Sequence, residues 1–444
     1  MKNTEEIVRY ILQFLLRTDD EKVIRQIGYT SDREEMKKYR LVILPSLFFN
    51  ENFYGTPDSF PDEIVYVQSD KRKIPVLYGD NGIEMIDNTT IIHADLIAST
   101  FFFISRYEET IRPETRDVFG RFIGKESIAY KNGFLQRPIV DEYGDLLRDW
   151  MRKYGLFPEK PVDRIDSIYL TTDVDKLAHF RNFKSTAKAV AQFPIMPHKA
   201  FKALRTYFGS IYADPWFTFP LFFNYTSELK NSVSDVSIKS IAFIKSGGNN
   251  CYEDQPLQRV ESNDFKLFFD LCRKNEVEIG LHPSFQAGMQ PNLIRQEKSR
   301  LEKAIGQKVY LSRNHYLCNR EPHDFNALIK AGLTDDFTMS YADVAGFRLG
   351  TCRPVRWIDP ENMKLTSLTL HPLTVMDNTL SDVRYMNLKE EEAFDYCKKL
   401  IDEIKARNGE LVLLWHNISL EKNNQSYLSE LYPKIIHYLR ENAE

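Results

Sequence analysis

From about residue 165 the chain alternates short apolar runs with amphipathic helical stretches, and no other feature limits the possible fold as strongly. Seven runs have the length and composition of buried strands: Ile168-Tyr-Leu-Thr-Thr, Ser240-Ile-Ala-Phe-Ile-Lys, Glu278-Ile-Gly-Leu, Lys308-Val-Tyr-Leu-Ser, Phe337-Thr-Met-Ser, Ser367-Leu-Thr-Leu and Leu411-Val-Leu-Leu-Trp. Helical patterns separate most of them, notably at 265–274, 293–305 and 390–404. Asp264 stands at the start of the first helix and Glu390-Glu-Glu opens the last, where acids complement the helix dipole. Such alternation builds a parallel sheet with helical crossovers, and seven units predict an α/β fold with a closed or nearly closed barrel. Residues from about 176 to 235 form a long insertion between the first two strands, rich in Phe, Lys and Pro, expected to cap or flank the barrel mouth.

The 444 residues exceed one ordinary core, so two domains are expected: an N-terminal α/β domain over 1–160 and the barrel over 165–444. The first opens with a helix. Leu41-Val-Ile-Leu, Glu63-Ile-Val-Tyr-Val and Ile74-Pro-Val-Leu-Tyr read as its strands, and Ala94 to Glu109 as a buried helix. Ser105-Arg-Tyr-Glu-Glu109 and Arg116-Asp-Val-Phe-Gly-Arg121 read as a structural ion-pair cluster or a domain interface. Pro158, Pro161 and Asp163 mark a linker.

Charge is nearly balanced, 59 basic against 63 acidic residues, which gives no electrostatic footprint for nucleic acid. No GxGxxG or GxxxxGK[ST] loop supports nucleotide chemistry. The five cysteines (Cys251, Cys272, Cys318, Cys352, Cys397) show no zinc-ribbon spacing and read as reduced thiols. The N-terminus carries Glu5 and Glu6 on a helical pattern, unlike a signal peptide, and no run approaches the roughly 20 apolar residues of a membrane span. A cytoplasmic location is expected.

In βα barrels the working residues lie at the carboxyl ends of strands. Here those ends carry Asp173 and Asp175, then His282, then Arg313 and His315, then His371, then His416. Asp173 and Asp175 sit two apart and project from one face of an extended chain. Four of the nine histidines fall at strand ends, a concentration that packing alone does not account for beside an aspartate pair. A carboxylate with two imidazoles is a common ligand set for a zinc-like divalent ion with a position left open for water.

With these segments assembled, residues 165–420 resemble the polysaccharide deacetylases of carbohydrate esterase family four, and more closely a Bacteroidetes-type branch with an added N-terminal domain. The resemblance rests on Thr171-Thr-Asp-Val-Asp175, Glu278-Ile-Gly-Leu-His282-Pro283, and Arg313-Asn-His-Tyr316 with Glu297-Lys298 and Gly306 upstream. It continues through Gly346-Phe-Arg-Leu-Gly-Thr-Cys352 with Trp357 and Asp359, and ends at Leu411-Val-Leu-Leu-Trp-His416. It implies a distorted seven-stranded (β/α) barrel that hydrolyses acetyl groups from an N- or O-acetylated saccharide, with a divalent metal, zinc first among the candidates. Asp175, His282 and His315 would hold the metal, Asp173 would act as base, His416 as acid, and Arg313 would orient Asp173 by an ion pair. Tyr316 and Trp357, with Phe347 and Trp415, are candidates for stacking on a sugar, and His371 and Asp377 for contacting it.

Two departures stand out. Val174 separates aspartates that the family pattern has adjacent, and Gln286 holds the position of that pattern's second histidine. His315 is the substitute; Gln286 as a weak oxygen ligand, or no tightly bound metal, are the alternatives. Two further readings therefore stay open: a glycan-binding pseudo-deacetylase, and a metal-dependent C–N hydrolase acting on a non-sugar amide. A third is an interaction protein whose N-terminal domain is the working part. The expected location favours a precursor substrate, such as a nucleotide- or lipid-linked sugar.

Overall fold

The structure is a computed structural model that describes residues 4–70, 72–153, 155, 161–422 and 426–444. Pro158 of the expected linker lies outside the described residues. The helix Thr4–Leu16 opens the chain and buries Ile7, Ile11, Leu12 and Leu15 at helical spacing. Six strands follow: β1 (Ile27–Tyr29), β2 (Leu41–Ile43), β3 (Val65–Gln68), β4 (Lys73–Val76), β5 (Gly79–Ile86) and β6 (Thr89–Ala94). β1, β2 and β6 are parallel, β5 pairs antiparallel with β6, and β3 and β4 form a separate hairpin. The segment 94–109 is not one helix. It breaks between Leu96–Ile104 and Tyr107–Ile111 at Arg106, whose φ of 63° turns its guanidinium inward.

The second sheet has nine strands: β7 (Ser167–Val174), β8 (Ser237–Ile244), β9 (Glu278–Leu281), β10 (Leu311–Ser312), β11 (Asp335–Asp336), β12 (Val355–Asp359), β13 (Lys364–Leu370), β14 (Val375–Met376) and β15 (Glu410–Leu414). Their order is β12-β13-β11-β10-β9-β8-β7-β15-β14; every pair is parallel except β12 with β13. The expected α/β architecture with a large parallel sheet is present. Closure of the expected closed or nearly closed seven-stranded barrel is not shown: among the described residues no ladder joins β12 or β13 to β14. β14 is a two-residue strand, too short to carry a period. β12 is an antiparallel return that strand–helix alternation does not anticipate. The expected strand at Phe337 is displaced as well, because the ladder is made by the acids just before it, Asp335 and Asp336.

The N-terminal segment covers the β12–β13 edge of this sheet. Leu96–Ile104 packs on β12 and Thr4–Leu16 on β13, inside one continuous apolar core. Buried ion pairs cross the same boundary. Glu109 takes two bonds from Arg348, at 2.9 and 2.7 Å, and also pairs with Arg106; Asp141 pairs with Arg353 at 2.6 Å. Burial alone would raise the Glu109 carboxyl, but Arg106 and Arg348 hold it at about 2. The Gly346–Cys352 segment, matched to a site motif in the sequence, supplies Arg348 and the Cys352 N–H to this interface rather than to a mouth.

Candidate metal centre at the carboxyl ends of the parallel strands

β7 carries Asp173 and delivers Asp175 just past its end. Between them Val174 is fully buried in the apolar core, so the period of two turns both carboxylates into one pocket of about 520 Å³. The ladder continues beyond the strands and sets the neighbouring ends in register. His282 N–H donates to Ile244 O at 2.9 Å, Arg313 N–H to Leu281 O at 3.0 Å, and His315 N–H to Pro283 O at 3.0 Å. After His315 the chain turns through two successive left-handed residues, Tyr316 (φ 59°) and Leu317 (φ 55°), a backbone that non-glycine residues adopt only where surroundings enforce it.

Asp175, His282 and His315 converge. Nε2 of His282 is 3.3 Å and Nε2 of His315 is 3.1 Å from Oδ1 of Asp175, and the three ligand atoms lie within 4.8 Å of one another. An ion with bonds of ~2.1 Å separates adjacent ligand atoms by roughly 3.0–3.4 Å, the spacing Asp175 Oδ1 already has to each of the two nitrogens. Asp175 Oδ1 and His282 Nε2 are buried and lack a hydrogen-bond partner among the described residues, so they are polar atoms aimed at a shared point. On its other nitrogen, His282 Nδ1 donates to the Arg313 carbonyl at 2.5 Å, which leaves Nε2 as a lone-pair donor. His315 Nδ1 faces the buried Asp254 at 3.8 Å. The donor set fits a divalent ion. Burial would raise the Asp175 carboxyl, but His315 and His282 hold it well below its ordinary range, while His315 is raised against burial by Asp175 and Asp254.

Gln286 is not part of this set. Its backbone N–H binds Asp254 at 3.2 Å, and the residue lines a separate groove with Glu297 and Arg300. Glu297, read from the sequence as part of a motif, braces the loop behind His282. It accepts from Ser284 N–H at 2.9 Å and from Ser284 Oγ at 2.6 Å, and Gly247 is required opposite because a Cβ there would meet Glu297 Oε1 at 2.0 Å.

Two charged pairs flank the three residues. Arg313, fully buried, donates from Nη1 to Asp173 Oδ1 at 3.1 Å and to Thr171 Oγ1 at 2.7 Å, and from Nε to Phe337 O at 3.0 Å. Asp173 Oδ2 stays on the pocket side, 3.7 Å from His282 Nε2. Opposite, His416 Nδ1 bonds Asp377 Oδ1 at 2.8 Å, and His416 N–H donates to Asp377 Oδ2 at 2.7 Å. His416 Nε2 is 3.7 Å from Asp175 Oδ2. Burial works against a charged His416, but Asp377, then Asp175 and Asp173, carry it to about 10. The carboxylate beneath His416 could not be located from the sequence.

The expected substrate contacts separate. Tyr316 lines the pocket. Trp357 does not: it is fully buried on β12 with its ring against Phe325 at 5.2 Å, and Phe347 and Trp415 are likewise core. His371 does not either. It is stacked on Phe337 at 4.2 Å and held between Glu410 at 2.8 Å and Asp335 at 3.1 Å. Asp377 is fully buried, and its carboxylate bonds His416. The structure adds residues that sequence reasoning missed. Lys245 directly follows β8, so the strand-end rule reaches it; it is fully buried, lines the pocket and donates to Asp254 O at 3.1 Å. Asp254 sits in a loop with no motif. Arg121 comes from the N-terminal segment, donates to Tyr316 O at 2.9 Å and lines the pocket beside Tyr385, whereas its neighbour Arg116 makes the expected interface pair with Glu321 at 2.9 Å.

A model described as a family of unknown function (DUF7033) matches residues 2–156. No curated protein matches the chain in sequence. Solved structures that resemble it include a protein of Mycobacterium smegmatis assigned as a polysaccharide deacetylase, at TM-score 0.39 and 12% identity over 64% of this chain and 92% of that one. Another is Puue allantoinase, at TM-score 0.37 and 12% identity over 65% of this chain and 89% of that one.

Proposed function

We propose that the chain is a metal-dependent hydrolase that removes acetyl groups from an N- or O-acetylated saccharide or saccharide precursor, with residues 165–444 as the catalytic unit and 1–160 as a domain that completes its pocket. The observation that carries the reading is the convergence of unpartnered Asp175 and His282 atoms with His315, flanked by Asp173–Arg313 on one side and His416–Asp377 on the other. Asp175, His282 and His315 would hold the ion, zinc first among candidates, which when bound polarises an acyl carbonyl and acidifies water.

The protein's own groups divide the proton transfers. Asp173 is the base. Arg313 occupies its Oδ1, which leaves Oδ2 directed into the pocket to take a proton from the attacking water. His416 is the acid. Asp377 fixes Nδ1 as a donor and favours the imidazolium, so Nε2 delivers its proton to the departing amine or hydroxyl. Tyr316 and Arg121 at the wall would orient the sugar. The test is acetate release from acetylated oligosaccharides by metal-loaded protein, with Asp173→Asn alongside. Loss of about 10²–10⁴ in kcat with metal content unchanged is the expected result. An Asp173→Asn variant as active as wild type removes the base assignment. Ammonia rather than acetate released from a non-sugar amide transfers the site to that chemistry.

A further inference from the structure

The insertion after β7 builds a helical hairpin, Phe183–Ala191 and Pro197–Phe208. Small residues make its inner contact: Ala189 and Ala203 pack on Phe180 in a cluster separate from the main core, with Ala200 and Thr206 also buried. The outside is apolar. Phe183 is 73% exposed, Ile195 82%, Phe201 61% and Phe208 79%, and Phe193 and Met196 are half exposed. The Phe193 and Phe201 rings meet at 5.7 Å, which joins the turn to the second helix in one patch. Isolated exposed apolar residues are ordinary, but a cluster of this kind marks a surface that meets something.

The charge says what. Residues 176–213 contain Lys176, Arg181, Lys184, Lys188, Lys199, Lys202 and Arg205 and no Asp or Glu, in a chain of net charge −4. Arg181 is used internally, paired with Asp264 at 2.5 Å. Lys184, Lys188, Lys199 and Arg205 have no carboxylate partner among the described residues and lie exposed beside the phenylalanines. Apolar side chains at a hairpin turn, ringed by unpaired cations, match a membrane interface, where the apolar groups enter the acyl boundary and the cations meet lipid phosphates. An apolar groove on a protein would account for the phenylalanines but not for a 38-residue stretch without one acid.

We propose that this hairpin docks the protein peripherally on an anionic lipid surface. No helix among the described residues is long and apolar enough to cross a membrane. The base of the hairpin adjoins the candidate site. Lys176 lines the catalytic pocket, and Phe183 lines a neighbouring groove of about 500 Å³ that shares Pro256 with it. The inference stands on the hairpin and does not depend on the proposed reaction.

The test is co-sedimentation of the full chain with vesicles of phosphatidylcholine alone or with about one third phosphatidylglycerol. Binding is expected only to the anionic vesicles, weakened by salt. Ile195→Ser with Phe201→Ser, and separately Lys184→Gln with Lys188→Gln and Lys199→Gln, should each lower it about tenfold or more. Ile195→Trp provides a reading that removes nothing: its emission shifts to the blue on anionic vesicles. Absence of binding with no Trp shift overturns the proposal, as does equal binding to the neutral vesicles. A stable dimer in sedimentation that Ile195→Ser with Phe201→Ser dissolves would assign the patch to a second copy instead.

Discussion

Replacing His371 by Gln separates a structural histidine from a substrate contact. Both ring nitrogens face carboxylates, Nδ1 against Glu410 at 2.8 Å and Nε2 against Asp335 at 3.1 Å. Only the imidazolium can donate at both positions. Burial alone would lower its pKa, but Glu410 and Asp335 raise it from 6.5 to about 9. A shift of that size corresponds to about 3 kcal/mol of preference for the charged form in the folded chain. Because the folded value lies above the unfolded one, the stabilisation is complete below about pH 6.5, declines between there and about pH 9, and is lost above it. His371→Gln cannot take the charge. Urea unfolding of both proteins from pH 6 to 10 should show the variant less stable by about 3 kcal/mol at the acid end, with the gap closing towards pH 10. KM for an acetylated substrate should be unchanged, because His371 does not line the pocket. A gap that is flat with pH would mean a neutral His371. A raised KM at full stability would return it to the substrate.

Three further outcomes follow from the same geometry. His315→Ala should lose the metal in elemental analysis of dialysed protein while Gln286→Ala keeps it, and the reverse pattern would refute the ligand set. Asp377→Asn, which keeps a hydrogen bond but not the charge beneath His416, should lower kcat about 10²-fold with KM little changed, and steady-state kinetics would reveal a KM effect if Asp377 touched substrate. Glu109→Gln leaves Arg106 and Arg348 facing each other without a carboxylate, a cost of ~3–5 kcal/mol that denaturant unfolding near neutral pH should read.

Much of the second sheet was legible because parallel strands buried on both faces are continuous apolar runs, and because chemistry gathers at their carboxyl ends. That rule alone named Asp173, Asp175, His282, Arg313, His315 and His416. It also named His371, which turned out to close a buried ion triad. A strand-end position in sequence does not reveal which carboxylates lie across the sheet. Trp357 failed for a related reason: an aromatic near a motif reads the same whether its strand faces a mouth or a neighbouring segment.

By itself, then, the sequence determined the strand–helix order, the residues available at the strand ends, and the spacing by which Val174 points inward while its two aspartate neighbours do not. Those are local properties, set by a period of two and by the need to bury apolar runs. Tertiary structure alone decided the order in which the strands pair, that Asp254 and Asp377 stand behind His315 and His416, and that Arg121 reaches the pocket from the N-terminal segment. Each of these depends on groups far apart in the chain meeting at hydrogen-bond range, where two-residue strands and single loop residues carry no period to read.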